Sequence, residues 1–149
     1  MRIKNIRERP ISLSDPMSNA GISYLHMTAS AVAIDIDAGE KGMVTGYGFS
    51  SVGRYAQSGL IAERFAPRLM ACEELESADG GLDPVRAWAS MMTNEKSGGD
   101  GDRAGAIGVL DMALWDAAAK IEGMPLWQLL SERFNEQKYH EHVPVYATG

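Results

Sequence analysis

The chain has 149 residues and a formal net charge of −6 at pH 7, and its 45% of hydrophobic and 23% of charged residues are typical of a globular domain rather than a disordered chain. An acidic chain without a basic stripe is poorly suited to nucleic acid or anionic membranes, and no window approaches the ~18 apolar residues of a membrane-spanning helix. The single cysteine, Cys72, excludes an internal disulfide and, with an N-terminus that lacks an apolar export segment, predicts a cytoplasmic protein.

The first 50 residues carry the alternating pattern of strands. Spaced isoleucines between Ile3 and Ile11 give a weak edge-strand signal, which Pro10 interrupts. Thr28 to Asp37 is the clearest strand, because β-branched residues alternate there with alanines. After a glycine turn, Val44 to Ser50 predicts a second strand that returns alongside it. Two strands joined this closely predict an antiparallel hairpin, to which the N-terminal strand adds a third.

After residue 58 the apolar period changes from two to 3.6, which predicts helices. Leu60 to Met70 places apolar residues on one side and reads as an amphipathic helix. Asp83 followed by Pro84 is a typical helix start, a capping residue and then proline at the first helical position. That second helix is predicted to run to about Met92.

The strongest helix prediction covers Arg103 to Glu122, with Asp102 as its cap and Gly123 as its end. Its apolar stripe recurs at three- and four-residue steps, and its many alanines give it a slim surface. We therefore expect this helix to be central and buried on more than one side. Pro125 then opens a short helix that includes Leu130.

The segment Val143 to Thr148 reads as the beginning of a buried strand. A strand needs a neighbour, so it either joins the small sheet or begins a longer structure. Just before it, strand alternation would place His140 and His142 on one face. Two histidines without a third close ligand are a weak metal site, and we interpret this stretch as a polar linker.

Candidate functional residues lie in two early loops. Asn19 and Tyr24 in the first loop and Tyr55 in the second could hold hydroxyl groups, and Arg54 could bind a carboxylate through two parallel hydrogen bonds. From composition alone, two solvated surface loops are the commoner interpretation. Asp111 interrupts the apolar stripe of the long helix. Both a catalytic and a structural role are open for it, and a structural salt bridge or backbone contact is the favoured interpretation. The chain contains no identifiable nucleophile–base pair.

A run in the long helix resembles a signature of the mandelate racemase/muconate lactonizing enzyme family of the enolase superfamily. The run is Asp111-Met112-Ala113-Leu114-Trp115-Asp116, then Lys120, Gly123-Met124-Pro125-Leu126 and Leu129-Leu130. The resemblance implies an α+β fold, a three-stranded antiparallel sheet followed by a helical bundle, which is the N-terminal capping domain of the superfamily. It implies a capping domain at 1–135, with the sheet at about 1–50 and helices at about 59–133. Residues 136–149 would be a linker and the first strand of a (β/α)₈ barrel, whose remainder is absent from this sequence.

The resemblance also implies a division of chemical labour. Family members remove the proton next to a carboxylate and stabilise the enolate with a divalent metal, Mg²⁺, bound by the barrel. This segment is therefore predicted to hold no catalytic or metal residue and to be inactive alone. The capping domain contributes two loops that shape specificity, which raises Asn19, Tyr24, Arg54 and Tyr55 to substrate contacts. It assigns Asp111, and Asp116 with Lys120, to structural roles.

Three short motifs look most like the D-tartrate dehydratase branch: Gly46-Tyr47-Gly48-Phe49, Gly53-Arg54-Tyr55 and Asn94-Glu95-Lys96. The predicted function is the capping and substrate-specificity domain of a Mg-dependent sugar-acid dehydratase. Its predicted partners are a small hydroxy-acid or sugar-acid substrate, its own C-terminal barrel and further copies in a homo-oligomer. The alternatives are a racemase or cycloisomerase of the same family, or a stand-alone, non-catalytic binding or assembly module.

Overall fold

Three antiparallel strands form the first layer of the computed structural model, which describes residues 1–13, 18, 20–50, 55–97, 101–140 and 142–147. The strands are β1 (Arg2–Ser12), β2 (Thr28–Asp37) and β3 (Met43–Phe49), in the spatial order β1-β2-β3. The predicted three-stranded antiparallel sheet is confirmed. β1 is longer than its weak pattern suggested, and it accommodates Pro10 because it lies at the edge of the sheet.

The two faces of the sheet differ because successive side chains of a strand point to opposite sides. Val32, Ile34 and Ile36 of β2 are fully buried on the inner face, against the helices. The outer face carries the small and polar residues between them, such as Ala33 and Asp35. The alternation read from the sequence therefore identifies the side on which the core lies.

The helices form the second layer. A continuous helical segment comprises α1 (Ser58–Leu60), a π-helical turn (Ile61–Phe65) and α2 (Ala66–Met70). It is followed by α3 (Pro84–Met92), α4 (Asp102–Glu122) and α5 (Leu126–Phe134). None of the described helices is long and apolar enough to cross a membrane.

The first helical segment differs from the regular helix predicted for Leu60 to Met70. Its middle is a π-helical turn, closed by the Ala66 N–H bonding the Ile61 carbonyl five residues back. Pro67 follows directly and has no N–H to continue the usual four-residue ladder. The cap predicted for α3 is confirmed, since the Asp83 carboxylate accepts from two backbone N–H groups of the first turn.

The start of α4 corrects one prediction. Asp102 is the first residue of the helix and not its cap, and no side chain caps this end. Gly101 occupies the cap position at φ 88°, a left-handed conformation that favours glycine, so the helix begins one residue earlier than predicted. Asp102 then lies in the first turn, where a carboxylate is favourable to the helix dipole. Gly123 ends the helix at φ 70°, as predicted.

α4 is the centre of the domain, as its alanine content predicts. It contacts β2 and β3 on one side and α3 and α5 on others. Its approach to β3 is unusually close: a Cβ atom placed on Gly46 would lie 2.0 Å from the Ala113 carbonyl oxygen, and one on Gly48 would lie 2.2 Å from the Val109 carbonyl oxygen. The backbone of α4 therefore packs directly against β3 at these two glycines, where no side chain separates the helix from the strand.

Two side chains of α4 cover the outer edge of β3. The Asp116 carboxylate accepts from the Tyr47 backbone N–H at 2.8 Å. The Lys120 ammonium donates to the Thr45 carbonyl at 2.9 Å and to Asp116 at 2.6 Å, and it lies 4.6 Å from the centre of the Tyr47 ring. These backbone groups face away from the neighbouring strand, so the ion pair satisfies groups that an edge strand leaves open. Asp116 and Lys120 were predicted to have a structural role, and their contacts with the backbone of β3 are structural.

The described part of the predicted strand Val143 to Thr148 does not join the three-stranded sheet, and its assignment as the first strand of a barrel stays a prediction. Residues 142–147 belong to no strand, and Val143, Val145 and Tyr146 are all exposed. None of the described residues pairs with this segment, and a single strand without a hydrogen-bonded neighbour is not stable.

Glu95 joins three parts of the helical layer. Its side chain is 1% exposed and contacts Arg64 and Arg68 at 2.8 Å and Arg103 at 3.5 Å. These arginines come from the π-helical turn, from α2 and from the first turn of α4. The hydrogen bond from Arg68, aided by the charges of the three guanidinium groups, holds the pKa of Glu95 below its ordinary value of 4.5.

A lowered pKa predicts how Glu95 affects acid stability. The carboxylate stabilises the fold above its unfolded pKa, and that stabilisation is lost as the pH falls through the lower, folded value. Glu95→Gln is expected to lower the melting temperature at neutral pH and to lose less stability between about pH 5 and pH 3 than the parent chain. The matched control is Glu63→Gln, an exposed glutamate of the π-helical turn. Parallel melting curves for Glu95→Gln and the parent across that range would contradict the prediction.

Candidate functional site

The two loops predicted to shape a pocket leave the sheet at the same end. Ser12, the last residue of β1, pairs with Thr28, the first residue of β2. Phe49, the last residue of β3, pairs with Ala31, near the start of β2. The loop between β1 and β2 and the loop after β3 therefore begin side by side, as a shared pocket requires.

Hydrogen bonds tie the bases of the two loops together. The Ser50 N–H donates to the Ser30 carbonyl at 2.8 Å, and the Ser30 N–H donates to the Ser50 hydroxyl at 2.8 Å. Further along the second loop, the Ala56 N–H donates to the Thr28 hydroxyl at 3.1 Å. The start of β2 thus holds both ends of the second loop.

Ser30 is the centre of this arrangement. Its fully buried hydroxyl accepts from the Gln57 N–H at 3.0 Å and donates to the Glu8 carboxylate at 2.7 Å. Glu8 also accepts from the Ser58 hydroxyl at 2.9 Å. We call Glu8, Ser30, Gln57 and Ser58 the loop anchor, since they fasten the end of the second loop to β1 and β2.

The side chain of Gln57 extends the loop anchor toward α4. Its Nε2 donates to the Tyr55 carbonyl at 2.6 Å, and its amide lies against Gly105 in the first turns of α4. Its Oε1 is buried and has no hydrogen-bond partner among the residues described. Gln57 therefore fixes the backbone of Tyr55, next to the predicted specificity loop.

Sequence reasoning missed the loop anchor. One signal was present: Ser30 lies on the face of β2 that otherwise holds Val32, Ile34 and Ile36, so a buried polar group was to be expected there. Nothing in the sequence indicates that its partners are Glu8 and Gln57, because those contacts join residues far apart along the chain.

The predicted site residues have different outcomes. Tyr24 is half-buried and its carbonyl accepts from the Met27 N–H, while Tyr55 is exposed. Asn19 and Arg54 lie outside the described residues. No hydrogen bond between described residues joins Tyr24 to Tyr55. The structure brings the bases of the two loops together, and the roles of the four side chains stay predictions.

Asp111 differs from its prediction. Its side chain makes no hydrogen bond or ion pair with the described part of the chain, whereas a salt bridge or backbone contact was the favoured interpretation. Burial raises the pKa of its carboxyl to about 6, with no compensating charge. It lines a cleft between α3 and α4.

The described residues form no metal-binding site. No group of three or more histidine, cysteine, aspartate or glutamate side chains lies together among them in a way that could hold a metal ion. These residues do not fit Mg²⁺, and we assign no reaction step to a metal in this chain.

Comparison with known proteins supports the fold and identifies the family of the domain. The sequence model of the mandelate racemase/muconate lactonizing enzyme, N-terminal domain, matches residues 5–131. A D-galactonate dehydratase family member, RspA, from Halomonas elongata is 56% identical over 46 residues, which are 30% of this chain and 10% of that protein.

Two solved structures share the fold at low sequence identity. A mandelate racemase/muconate lactonizing enzyme-like protein from Rubrobacter xylanophilus aligns with a TM-score of 0.53 and 21% identity, over 85% of this chain and 32% of that one. A racemase from Streptomyces coelicolor A3(2) with bound magnesium aligns with a TM-score of 0.51 and 20% identity, over 77% of this chain and 31% of that one. The chain spans about a third of the length of these solved proteins.

Proposed function

Because the chain belongs to the mandelate racemase/muconate lactonizing enzyme family, as its N-terminal domain, we propose that it is the substrate-specificity cap of a larger enzyme. The observation that carries this proposal is the common origin of the two loops at one end of the sheet, where the Ala56–Thr28 hydrogen bond joins their bases. Loops held at one end of a rigid sheet can close together over a pocket formed elsewhere.

The proposed reaction is the dehydration of a small hydroxy acid or sugar acid. The short match to a D-galactonate dehydratase family member supports it, as do the motifs that resemble the D-tartrate dehydratase branch. In this proposal Mg²⁺ and the acid–base residues belong to the barrel. The enzyme would be a cytoplasmic homo-oligomer, with the boundaries predicted above: the cap at 1–135 and the linker and first barrel strand at 136–149.

Within the cap, Arg54 would orient the substrate carboxylate and Asn19, Tyr24 and Tyr55 would contact its hydroxyl groups. A planar guanidinium matches a carboxylate through two parallel hydrogen bonds, which distinguishes orientation better than a single contact. The loop anchor supports this role for the second loop, because it fixes the backbone beside Tyr55.

Apolar surface supports the proposed barrel contact. Trp127 and Phe134 of α5 are exposed, as are Val143, Val145 and Tyr146 in the segment after it. Large apolar side chains concentrated in one part of a chain mark a surface that packs against another domain.

The direct test is an assay of the protein extended by its downstream barrel, with a panel of sugar acids and tartrates and with Mg²⁺ added or chelated. We expect formation of a 2-keto acid by loss of water, dependent on the metal. Racemisation or cycloisomerisation without water loss would reject the dehydratase part of the proposal, and full activity of the barrel without the cap would reject the role of the cap.

Arg54→Ala in the extended protein is expected to lower kcat/KM by about 100-fold, because one partner of a desolvated charge pair is lost. The melting temperature should change by no more than about 2 °C, as for a surface substitution. Arg54→Lys should restore part of the activity, since lysine keeps the charge but not the two-pronged geometry. Arg9→Ala, an exposed arginine of β1, serves as the control. Unchanged kinetics for Arg54→Ala would remove this residue from the site.

A further inference from the structure

A cleft of about 240 Å³ lies between α3 and α4, on a part of the domain that the proposed substrate site does not use. Trp88 and Met92 line it from α3, and Ile107, Gly108 and Asp111 line it from α4. Ile107 and Asp111 are four residues apart, about one helical turn, and Gly108 lies beside Ile107, so the three residues share one face of α4. The cleft is therefore a short groove of mainly apolar side chains that also contains the Asp111 carboxylate and Arg103.

The carboxylate of Asp111 forms no ion pair with the described residues of this groove. Arg103 is the other charged residue of the lining, and its guanidinium contacts the Glu95 carboxylate and the Lys96 carbonyl instead. α3 contributes only apolar side chains to the lining. Burial raises the pKa of the Asp111 carboxyl, and no positively charged donor among the described residues bonds to it.

The walls of the groove restrict the shape of a matching group. Trp88 is 45% exposed, so its indole remains accessible from the groove. Gly108 has no side chain, and a Cβ atom placed there would meet no other atom within 4 Å. A slender apolar stem that ends in a planar cation fits this space, because it can pack along Met92 and the indole while its charged end reaches Asp111.

We propose that this groove is a docking site for an arginine side chain of a neighbouring protein surface. Charge complementarity with Asp111 selects a cation, and the indole favours a guanidinium, which is weakly hydrated and stacks on aromatic rings, over an ammonium. A single carboxylate is too small a ligand set for a divalent metal. The proposal does not depend on the proposed function, since the described lining of the groove includes no residue of the two loops.

The experiment titrates the 149-residue chain with n-butylguanidinium, which reproduces the arginine side chain, and with n-butylurea, its uncharged analogue. We expect shifts of the Trp88 indole NMR signal with a dissociation constant of about 1 mM or above for the cation only, as for a single ion pair. Asp111→Asn should weaken binding by about tenfold or more, and Glu63→Gln, which removes an exposed charge elsewhere, should leave it unchanged. Binding should weaken as the pH falls below about 6, where Asp111 becomes protonated.

A second variant keeps the proposal testable if Asp111→Asn alters the fold. Gly108→Leu adds a side chain in open space on the helix surface and should block the groove while circular dichroism and melting remain native. Equal binding of n-butylurea, or full binding by Gly108→Leu, would overturn the docking site. Micromolar binding of n-butylguanidinium alone would also overturn it, because such affinity identifies a small-molecule site rather than one side chain of an interface.

Discussion

Gly46→Ala is expected to destabilise the domain by about 3 kcal/mol or more, or to prevent folding. The added Cβ would lie 2.0 Å from the Ala113 carbonyl oxygen and 2.8 Å from the Ala117 side chain. The nearest of these atoms belongs to the backbone of α4, so no rotation of a side chain can relieve the clash. The helix would have to move off β3, and the buried alanine face of α4 would lose its contact with the sheet. Urea unfolding followed by circular dichroism measures the effect.

The matched control is Gly108→Ala, in α4. A Cβ atom there meets nothing within 4 Å, and alanine is a better helix former than glycine. This variant should therefore match the parent chain or exceed its stability by about 0.5–1 kcal/mol. If Gly46→Ala were as stable as the parent while Gly108→Ala behaved as expected, the close contact between β3 and α4 would be disproved.

Ser30→Ala is expected to cost about 2–3 kcal/mol and to loosen the second loop. The variant leaves the buried Gln57 N–H without its acceptor, and it removes one of the two serine hydroxyls that Glu8 accepts from. Leaving buried groups unpaired costs more than the net energy of the bonds themselves. Hydrogen exchange of the Gln57 amide should accelerate more than that of amides within α4, and this local change distinguishes a loosened loop from general destabilisation.

Ser90→Ala is the control for this prediction. Its hydroxyl donates to the Arg68 carbonyl at 3.3 Å, a longer bond between two helices at the other side of the domain. Its loss should cost about 1 kcal/mol or less and leave exchange at Gln57 unaltered. Native stability and native exchange in Ser30→Ala would show that the loop anchor does not hold the loop.

The parts of the fold that could be predicted are those set by local pattern. β2 has the bounds that its alternation predicts, and α3 begins where Asp83 and Pro84 indicate. The errors arise where the backbone conformation of a single residue determines where a helix begins or how its turns are hydrogen-bonded. Gly101 moved the start of α4, and Pro67 follows a π-helical turn where the apolar period predicts a regular helix.

The site was less predictable because its contacts join distant residues. The two loops adjoin because the sheet is an antiparallel hairpin with a third strand. The sequence pattern predicted both the hairpin and the third strand. The loop anchor depends on Glu8 reaching Ser30 and Ser58 across the sheet, which no spacing indicates. Asp111 shows the same limit, since helical period predicts which face a residue occupies but not what lies opposite it.

The ion pair that covers β3 has a consequence for how copies of this domain meet. Asp116 and Lys120 occupy the outward Tyr47 N–H and Thr45 carbonyl, so two of the backbone groups that an incoming strand would bind are already bonded. The opposite border of the sheet is β1, where Pro10 and a series of charged residues oppose strand addition. Strand-to-strand polymerisation is therefore disfavoured at both borders of the sheet.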